Sequence, residues 1–381
     1  MIPVYAIATN ITSALGLDTD MHWRNVAASR SGILCHDDHS LSDTPFFGSR
    51  LDPAHWQVVR AQGNTSRPLS PFEEMCLYSA KKARSEYPYD IDPKETLFIL
   101  STTKGNIEWL GQMPDSRLLL STSAQLIAQE LGIPHEAVVV SQACVSGVVG
   151  LTYGLRMLQS GRYKHAIVTG ADRMTKFVLS GFQSFQAVAD EPCRPFDAKR
   201  KGINLGEAAA TIILSVDDKL PMAQLLSGAT SNDANHISGP SRTGEELAMA
   251  IQRAMKEANV APPQVDMVSA HGTATLYNDE MEAKAFGICG LDKVPVHSFK
   301  GYVGHTLGAA GVLESSMAIA AMRHQQLIPS AGYETSGVSV PLNVTMQMAA
   351  HTPINHVLKT ASGFGGVNAA AVWRNINASM L

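Results

Sequence analysis

Short apolar runs rich in β-branched residues alternate with helical patterns along this chain, and that alternation most constrains its fold. The runs are Val4–Thr9, Glu95–Thr102, Ala137–Ser141, His165–Gly170, Ala209–Ser215, Ala223–Gly228, Met267–Gly272, Pro295–Lys300, His356–Ala361 and Ala370–Arg374. Most are bounded by Gly, Pro, Asn or Asp, as strands are. Between them, helical patterns cover Ser70–Glu86, Ser123–Leu131, Val145–Ser160, Gly244–Asn259, Asp279–Ile288 and Leu307–His324. Strands alternating with helices predict an α/β fold with mostly parallel, buried strands. The 381 residues suggest two domains, or two halves of one large fold, at ~100–200 residues per domain. The polar turn Asp217-Asp218-Lys219-Leu220-Pro221 lies between two apolar runs and is the expected boundary, giving halves 1–217 and 218–381. The stretch Arg30–Gln62, rich in His, Asp, Ser and Pro, reads as irregular surface or an insertion.

Charge narrows the partners. Lys and Arg number 30 and Asp and Glu 34, a net charge of −4. That balance offers no global attraction for nucleic acid or an anionic membrane. Charged residues are 17% of the chain, against ~25% in an average globular protein, so a large buried core and an oligomer are expected. No run of ~18 apolar residues occurs, so no membrane span is expected. The first basic residue is Arg24, so no secretory signal is expected and the chain reads as a whole cytoplasmic protein. Cysteines stand at 35, 76, 144, 193 and 289. The odd count, wide spacing and lack of any CxxC argue against a disulfide framework or a Cys-rich zinc site. Cys35-His36-Asp37-Asp38-His39 contains ligand-type residues, but its spacing matches no standard zinc pattern, and no metal is expected.

Three segments carry chemistry. In the first, Ala137–Ser141 leads through Gln142 and Ala143 to Cys144 and then a helical pattern. A cysteine in a strand-to-helix turn lies where unpaired backbone N–H groups and the helix dipole favour a thiolate, which predicts a lowered thiol pKa. On this segment alone, a nucleophile and a buried small hydrophobe describe Cys144 equally well. In the second, His271 follows an apolar run in the turn His271-Gly272-Thr273-Ala274-Thr275, with hydroxyls beside it and Asp279 and Glu282 on the following helix. These carboxylates are expected to cap or structure that helix. In the third, Lys300 ends an apolar run, a glycine turn carries His305, and Glu314 interrupts an apolar helix. A carboxylate there needs a partner, and Lys300 is the candidate. Gly363-Phe364-Gly365-Gly366 adds a tight loop after a strand, and no phosphate-binding GxxxxGK[ST] occurs.

Together these residues resemble the β-ketoacyl-acyl carrier protein synthases, the decarboxylating condensing enzymes of the thiolase superfamily. The resemblance covers most of the chain and is strongest over 137–374. Its motifs stand here as Ala143-Cys144-Val145-Ser146-Gly147, Cys193-Arg194-Pro195-Phe196-Asp197, Gly206-Glu207-Ala208, His271-Gly272-Thr273-Ala274-Thr275, Lys300 with Gly304-His305, Leu307-Gly308-Ala309-Ala310-Gly311, and Gly363-Phe364-Gly365-Gly366-Val367-Asn368. The resemblance implies a thiolase-like fold of two related α/β halves in a five-layered αβαβα arrangement. It implies Cys144 as acyl-accepting nucleophile, His271 and His305 as its partners, and Lys300 with Glu314 as an ion pair acting near His305. It implies an oxyanion hole from the Cys144 and Phe364 amides, Phe364 as a gate, and Thr273 and Thr275 on the pantetheine arm.

The implied reaction is decarboxylative Claisen condensation of malonyl-acyl carrier protein with an enzyme-bound acyl group, with no cofactor. The implied partners are a phosphopantetheine-bearing acyl carrier protein, acyl and malonyl thioesters, and an identical or related subunit in a homodimer or heterodimer. CoA-primed type III enzymes carry Asn at the position of His305, and thiolases need a second active cysteine near the C-terminus. Neither pattern fits. Non-catalytic chain-length-factor partners lack the nucleophile, and that class stands as the alternative function. Ser362 replaces an aromatic found in many elongating enzymes, and Leu276-Tyr277 replaces a Pro-containing turn. Fatty-acid elongation and a specialised polyene or polyketide-type lipid pathway therefore both remain open.

Overall fold

The computed structural model describes residues 2–61, 65, 67–234, 239–349 and 352–376. The first half runs β1 (Tyr5–Thr12), α1 (Thr19–Ala27), β2 (Ile33–His36), β3 (Phe46–Ser49), α2 (Pro53–Arg60), α3 (Pro71–Glu86), β4 (Thr96–Ser101), α4 (Leu120–Glu130), β5 (Val138–Val140), α5 (Ser146–Gln159), β6 (His165–Asp172), α6 (Lys176–Ser184), β7 (Leu205–Gly206) and β8 (Ala208–Ser215). The second runs β9 (Ala223–Asn232), α7 (Glu245–Ala258), β10 (Met267–Ser269), α8 (Leu276–Ile288), β11 (Pro295–His297), α9 (Lys300–Val303), α10 (Ala310–His324), β12 (Asn343–Val344), β13 (His356–Gly363) and β14 (Val367–Arg374).

The main sheet has the order β12-β11-β10-β13-β14-β9-β1-β8-β6-β4-β5. Its two sides repeat one plan. In the first, β4 pairs parallel with β5 and β6, β6 antiparallel with β8, and β8 antiparallel with β1. In the second, β10 pairs parallel with β11 and β13, β13 antiparallel with β14, and β14 antiparallel with β9. The sides join where Tyr5 and Ala6 pair with Gln224 and Ala223.

Helices α5 and α10 lie between the two sheet halves, and α10 is buried from Ala310 through Met322. A helix apolar on every side belongs inside a core. The central apolar cluster draws on both halves, with Val148 and Leu155 beside Leu313, Met317 and Trp373. An outer cluster gathers Phe72, Met75 and Ile127 under α3 and α4, and another gathers Leu247, Ile251 and Phe286 under α7 and α8. The result is five layers, helix–sheet–helix–sheet–helix. Inside it, α5 and α10 touch backbone to backbone: a Cβ on Gly147 would lie 2.9 Å from Gly311 Cα, and one on Gly311 would lie 2.4 Å from the Val148 nitrogen.

Most expected elements are present, with shifted ends. Helix α3 starts after Ser70, whose hydroxyl accepts from the Glu73 amide while the Glu73 carboxylate accepts from the Ser70 amide; this reciprocal cap fixes the first turn. Strands β10 and β11 stop at Ser269 and His297, short of the expected Gly272 and Lys300. The Arg30–Gln62 stretch is more regular than its composition suggests. It holds β2, β3 and α2, and β3 pairs parallel with the distant β7; Gln62 lies outside the described residues. No helix among the described residues is long and apolar enough to cross a membrane, and the five cysteines form no disulfide.

Candidate functional site

Cys144 occupies the turn between β5 and α5, two residues before the helix begins. The turn is tight: Ala143 adopts a left-handed backbone (φ +45°). Ser146 pins it by accepting from the Gln142 amide (2.8 Å) and donating to the Ala143 carbonyl (2.6 Å). The expected depression of the thiol pKa is not found. Burial pushes Cys144 up to about 11, outweighing the opposing pull of the Lys300 charge and the Phe364 amide. Desolvation of a thiolate outweighs the favourable field of Lys300 and Lys104 here.

His271 stands in the loop after β10, and α8 holds that loop from below. Glu282 accepts from the His271 amide (2.8 Å), the Gly272 amide (2.6 Å) and the Asn278 side chain (3.1 Å). Asp279 accepts from the Phe196 amide (2.7 Å) and the Ala274 amide (3.2 Å). These two carboxylates therefore latch the His271 loop and the Pro195-Phe196 turn onto the helix.

His305 follows the one-turn helix α9. Its amide donates to the Asn204 carbonyl (2.7 Å), and its carbonyl accepts from the Gly206 amide (3.0 Å). Gly304, at φ +65°, has room for no side chain: a Cβ would meet the Leu205 carbonyl oxygen at 2.6 Å. The Leu307 amide faces His305 Nδ1 at 3.3 Å. That contact leaves the ring proton of a neutral imidazole on Nε2, which has no hydrogen-bond partner among the described residues.

Lys300 and Glu314 pair as expected, Nζ to Oε1 at 2.7 Å, and both are buried. Lys300 touches His271 directly, and its charge also acts at His305. Lys300 Nζ also donates to the His271 carbonyl (2.5 Å) and lies 3.3 Å from His271 Nδ1. An ammonium at Nδ1 fixes the His271 ring proton on Nε2. Burial lowers both imidazole pKa values well below the ordinary range; Lys300, His305 and Lys359 reinforce this at His271, as do Lys300 and Lys359 at His305. Both rings are neutral Nε2–H donors.

Lys359 was not anticipated. It lies on β13, fully buried, with Nζ 2.5 Å from Glu314 Oε2. Its presence inside an apolar strand was the available signal. Although burial pushes the Glu314 carboxyl up, the Lys300 and Lys359 charges outweigh that and hold it below the usual range.

The Sγ of Cys144 and one ring nitrogen each of His271 and His305 lie within 4.8 Å of one another, and the two rings meet edge-on with centroids 5.1 Å apart. They open on a cavity of about 440 Å³. Thr273 and Thr275 line it, their hydroxyls 2.8 Å apart. Phe364 sits at its mouth on the β13–β14 hairpin, between Phe182 (centroids 5.6 Å) and Phe185 (5.5 Å). Neither of those aromatics was anticipated. The β13–β14 hairpin brings the Phe364 amide close to the Cys144 sulfur, where its N–H favours the thiolate. Ser362 also lines the cavity and donates to Asn368 Oδ1 (2.7 Å). The Cys35–His39 stretch lies elsewhere: His36 Nε2 contacts the Gly48 carbonyl and Asp38 pairs with Arg50.

Known proteins carry this arrangement of chain. The family model "Beta-ketoacyl synthase, N-terminal domain" matches residues 89–219, and "Beta-ketoacyl synthase, C-terminal domain" matches 222–334. The tetracenomycin polyketide synthase ketoacyl synthase alpha subunit of Streptomyces glaucescens is 32% identical over 263 residues, covering 65% of this chain and 62% of that subunit. The matches to the polyketide relatives span just under two thirds of their length, 62–64%. A chain of the ishigamide ketosynthase/chain length factor superposes with TM-score 0.88 at 25% identity, covering 98% of this chain and 99% of that one. A beta-ketoacyl synthase from Burkholderia phymatum STM815 superposes with TM-score 0.86 at 23% identity, covering 99% and 100%.

Proposed function

This chain belongs to the β-ketoacyl synthase family, and from that premise we propose that it is a β-ketoacyl-acyl carrier protein synthase acting by decarboxylative Claisen condensation. One observation carries the reading: a buried thiol and two neutral imidazoles, each with its proton on Nε2, converge within 4.8 Å at the floor of one cavity.

In the first half-reaction Cys144 Sγ attacks an acyl thioester delivered by the carrier. The Cys144 and Phe364 amides stabilise the oxyanion. The carrier thiolate leaves with the proton that the cysteine gives up. Malonyl-carrier then enters, with Thr273 and Thr275 hydrogen-bonding its pantetheine arm. Cleavage of its carboxylate releases CO₂ and leaves an enolate whose oxygen accepts from His271 and His305 Nε2–H. The carbanion attacks the acyl-Cys144 carbonyl; collapse breaks the C–S bond, the Cys144 thiolate takes one proton from water to restore the thiol that began the cycle, and the product leaves as a β-ketoacyl thioester. Decarboxylation supplies the carbanion, so no strong base is required.

The proposal includes an acyl carrier protein as partner, a homodimer or a heterodimer with a related subunit, a cytoplasmic location consistent with five free cysteines, and halves divided at 217/218. Both fatty-acid and specialised polyene or polyketide-type lipid pathways fit this site. The alternative, a non-catalytic chain-length-factor-like subunit, is disfavoured by the intact Cys144. The test is incubation with acyl-carrier thioester, digestion and mass spectrometry, followed by malonyl-carrier. Acyl mass on the Cys144 peptide and a β-ketoacyl product support the reading. Acyl mass elsewhere sinks it. No product alone, with activity restored by a partner synthase, establishes the alternative.

A further inference from the structure

Lys359 is a fully buried charged side chain beside the site, and the reaction above gives it no role. Its ammonium protons are directed at the carbonyls of Ser269 (3.1 Å), Ala270 (3.3 Å) and Thr360 (2.6 Å). Ser269 and Ala270 lead directly into His271. With its protons committed to backbone, its 2.5 Å approach to Glu314 Oε2 is chiefly Coulombic. Glu314 thus lies between two lysines: Lys300 on Oε1, which reaches His271 Nδ1, and Lys359 on Oε2.

We propose that Lys359 is a positioning residue for decarboxylation: it clamps Glu314 and the end of β10 so that Lys300 stays on His271 Nδ1, and its charge keeps His271 in the neutral Nε2–H form. The inference rests on the condensing-enzyme reading. Charge bookkeeping shows why a second cation matters. The groups facing His271 are Lys300 on α9, Lys359 on β13, Glu314 on α10, Glu282 on α8, His297 on β11, His305, and Cys144 before α5. Two buried ammonium groups balance two buried carboxylates. Without Lys359 the carboxylates are in excess, and an imidazole among them gains a proton more readily. Once charged, His271 can no longer accept the Lys300 hydrogen bond at Nδ1, and the ring turns from a fixed neutral donor into a cation repelled by Lys300.

The test compares Lys359→Met with Lys359→Arg, measuring malonyl-carrier decarboxylation against pH, with kcat and KM separated. A positive charge near His271 lowers its pKa, so removing the charge raises it. Lys359→Met is expected to move the acid limb of kcat to higher pH and to reduce kcat about tenfold or more with KM little changed. Lys359→Arg is expected to keep the limb near its wild-type position. A folded Lys359→Met protein whose limb does not move overturns the proposal. If neither variant folds, the wild type decides: its acid limb must lie below 6.5, the ordinary imidazole value, and a limb at or above that value overturns the proposal. A wild type that decarboxylates no malonyl thioester, alone or with a partner subunit, instead overturns the condensing-enzyme reading.

Discussion

Lys300 Nζ donates to the His271 carbonyl at 2.5 Å and faces His271 Nδ1 at 3.3 Å, so one ammonium fixes both the backbone and the tautomer of the same histidine. Replacing it by alanine removes both constraints and leaves Glu314 facing Lys359 alone. Lys300→Ala is expected to reduce decarboxylation by about 10²-fold or more, the scale of losing one oriented donor, while acylation of Cys144 continues. Breaking the buried pair is expected to lower stability by about 3–5 kcal/mol, measured by denaturant unfolding. Single-turnover assays of each half-reaction check the first claim; equal losses in both would contradict it.

The Cys144 thiol gives a pH prediction. Burial raises it to about 11 from 9.0, so stabilisation of the thiolate by the turn does not dominate. The rate of iodoacetamide alkylation at Cys144 is expected to keep rising with pH beyond 9.0, because only the thiolate reacts. The Lys300 charge pulls this pKa down, so Lys300→Ala raises it further and slows alkylation at any pH below it. Peptide-level mass spectrometry separates Cys144 from the exposed Cys35. A rate that levels off below pH 9.0 would falsify the burial argument.

The convergence of Cys144, His271 and His305 was legible because each is a single titratable residue in a turn of small residues after an apolar run. Glu314 was legible because a carboxylate inside an apolar helix demands a cation. The same logic applies to Lys359, between Val357-Leu358 and Thr360-Ala361, because a lone ammonium inside an apolar run demands an acidic partner. Other features were not local. β3 pairs with β7 more than 150 residues away, so no composition could show that Phe46–Ser49 is a strand. The strand ends before His271 and Lys300 follow from Glu282 taking the His271 amide and the Ser330 hydroxyl taking the Ser298 amide across the chain. The direction of the thiol shift depends on how deeply neighbouring layers bury Cys144.

The Gly147–Gly311 contact between the central helices leaves no room for one methyl group. Gly311→Ala places a Cβ 2.4 Å from the Val148 nitrogen and 2.7 Å from the Gly147 carbonyl carbon. Backbone cannot yield as a flexible side chain does, so the loss is expected to reach about 1–3 kcal/mol or more. It should also reduce decarboxylation, because Glu314 lies one turn along the same helix. Gly181 on α6 is the control. A Cβ there meets nothing within 4 Å, and Gly181→Ala should be neutral or stabilising by up to about 1 kcal/mol. Chemical denaturation of both variants reads the difference; a Gly311→Ala protein as stable as Gly181→Ala would mean the helices do not meet as described.

Phe364 combines a backbone role and a side-chain role that mutation can separate. Its amide, close to the Cys144 sulfur, survives Phe364→Ala, whereas the ring packed between Phe182 and Phe185 does not. Phe364→Ala is therefore expected to acylate Cys144 within about tenfold of the wild-type rate, since an oxyanion donor lost outright costs about 10²–10³. Its acyl-enzyme should hydrolyse faster, because the ring no longer covers the thioester from water. Phe182→Ala keeps the covering ring but removes the stack that steadies it, a contact worth about 0.5–1.5 kcal/mol. Its acyl-enzyme should leak less than that of Phe364→Ala. Since Phe182 acts through Phe364, the double variant should leak no faster than Phe364→Ala alone. Additive hydrolysis rates in the double variant, measured by loss of labelled acyl-Cys144, would show that the two rings shield the thioester independently.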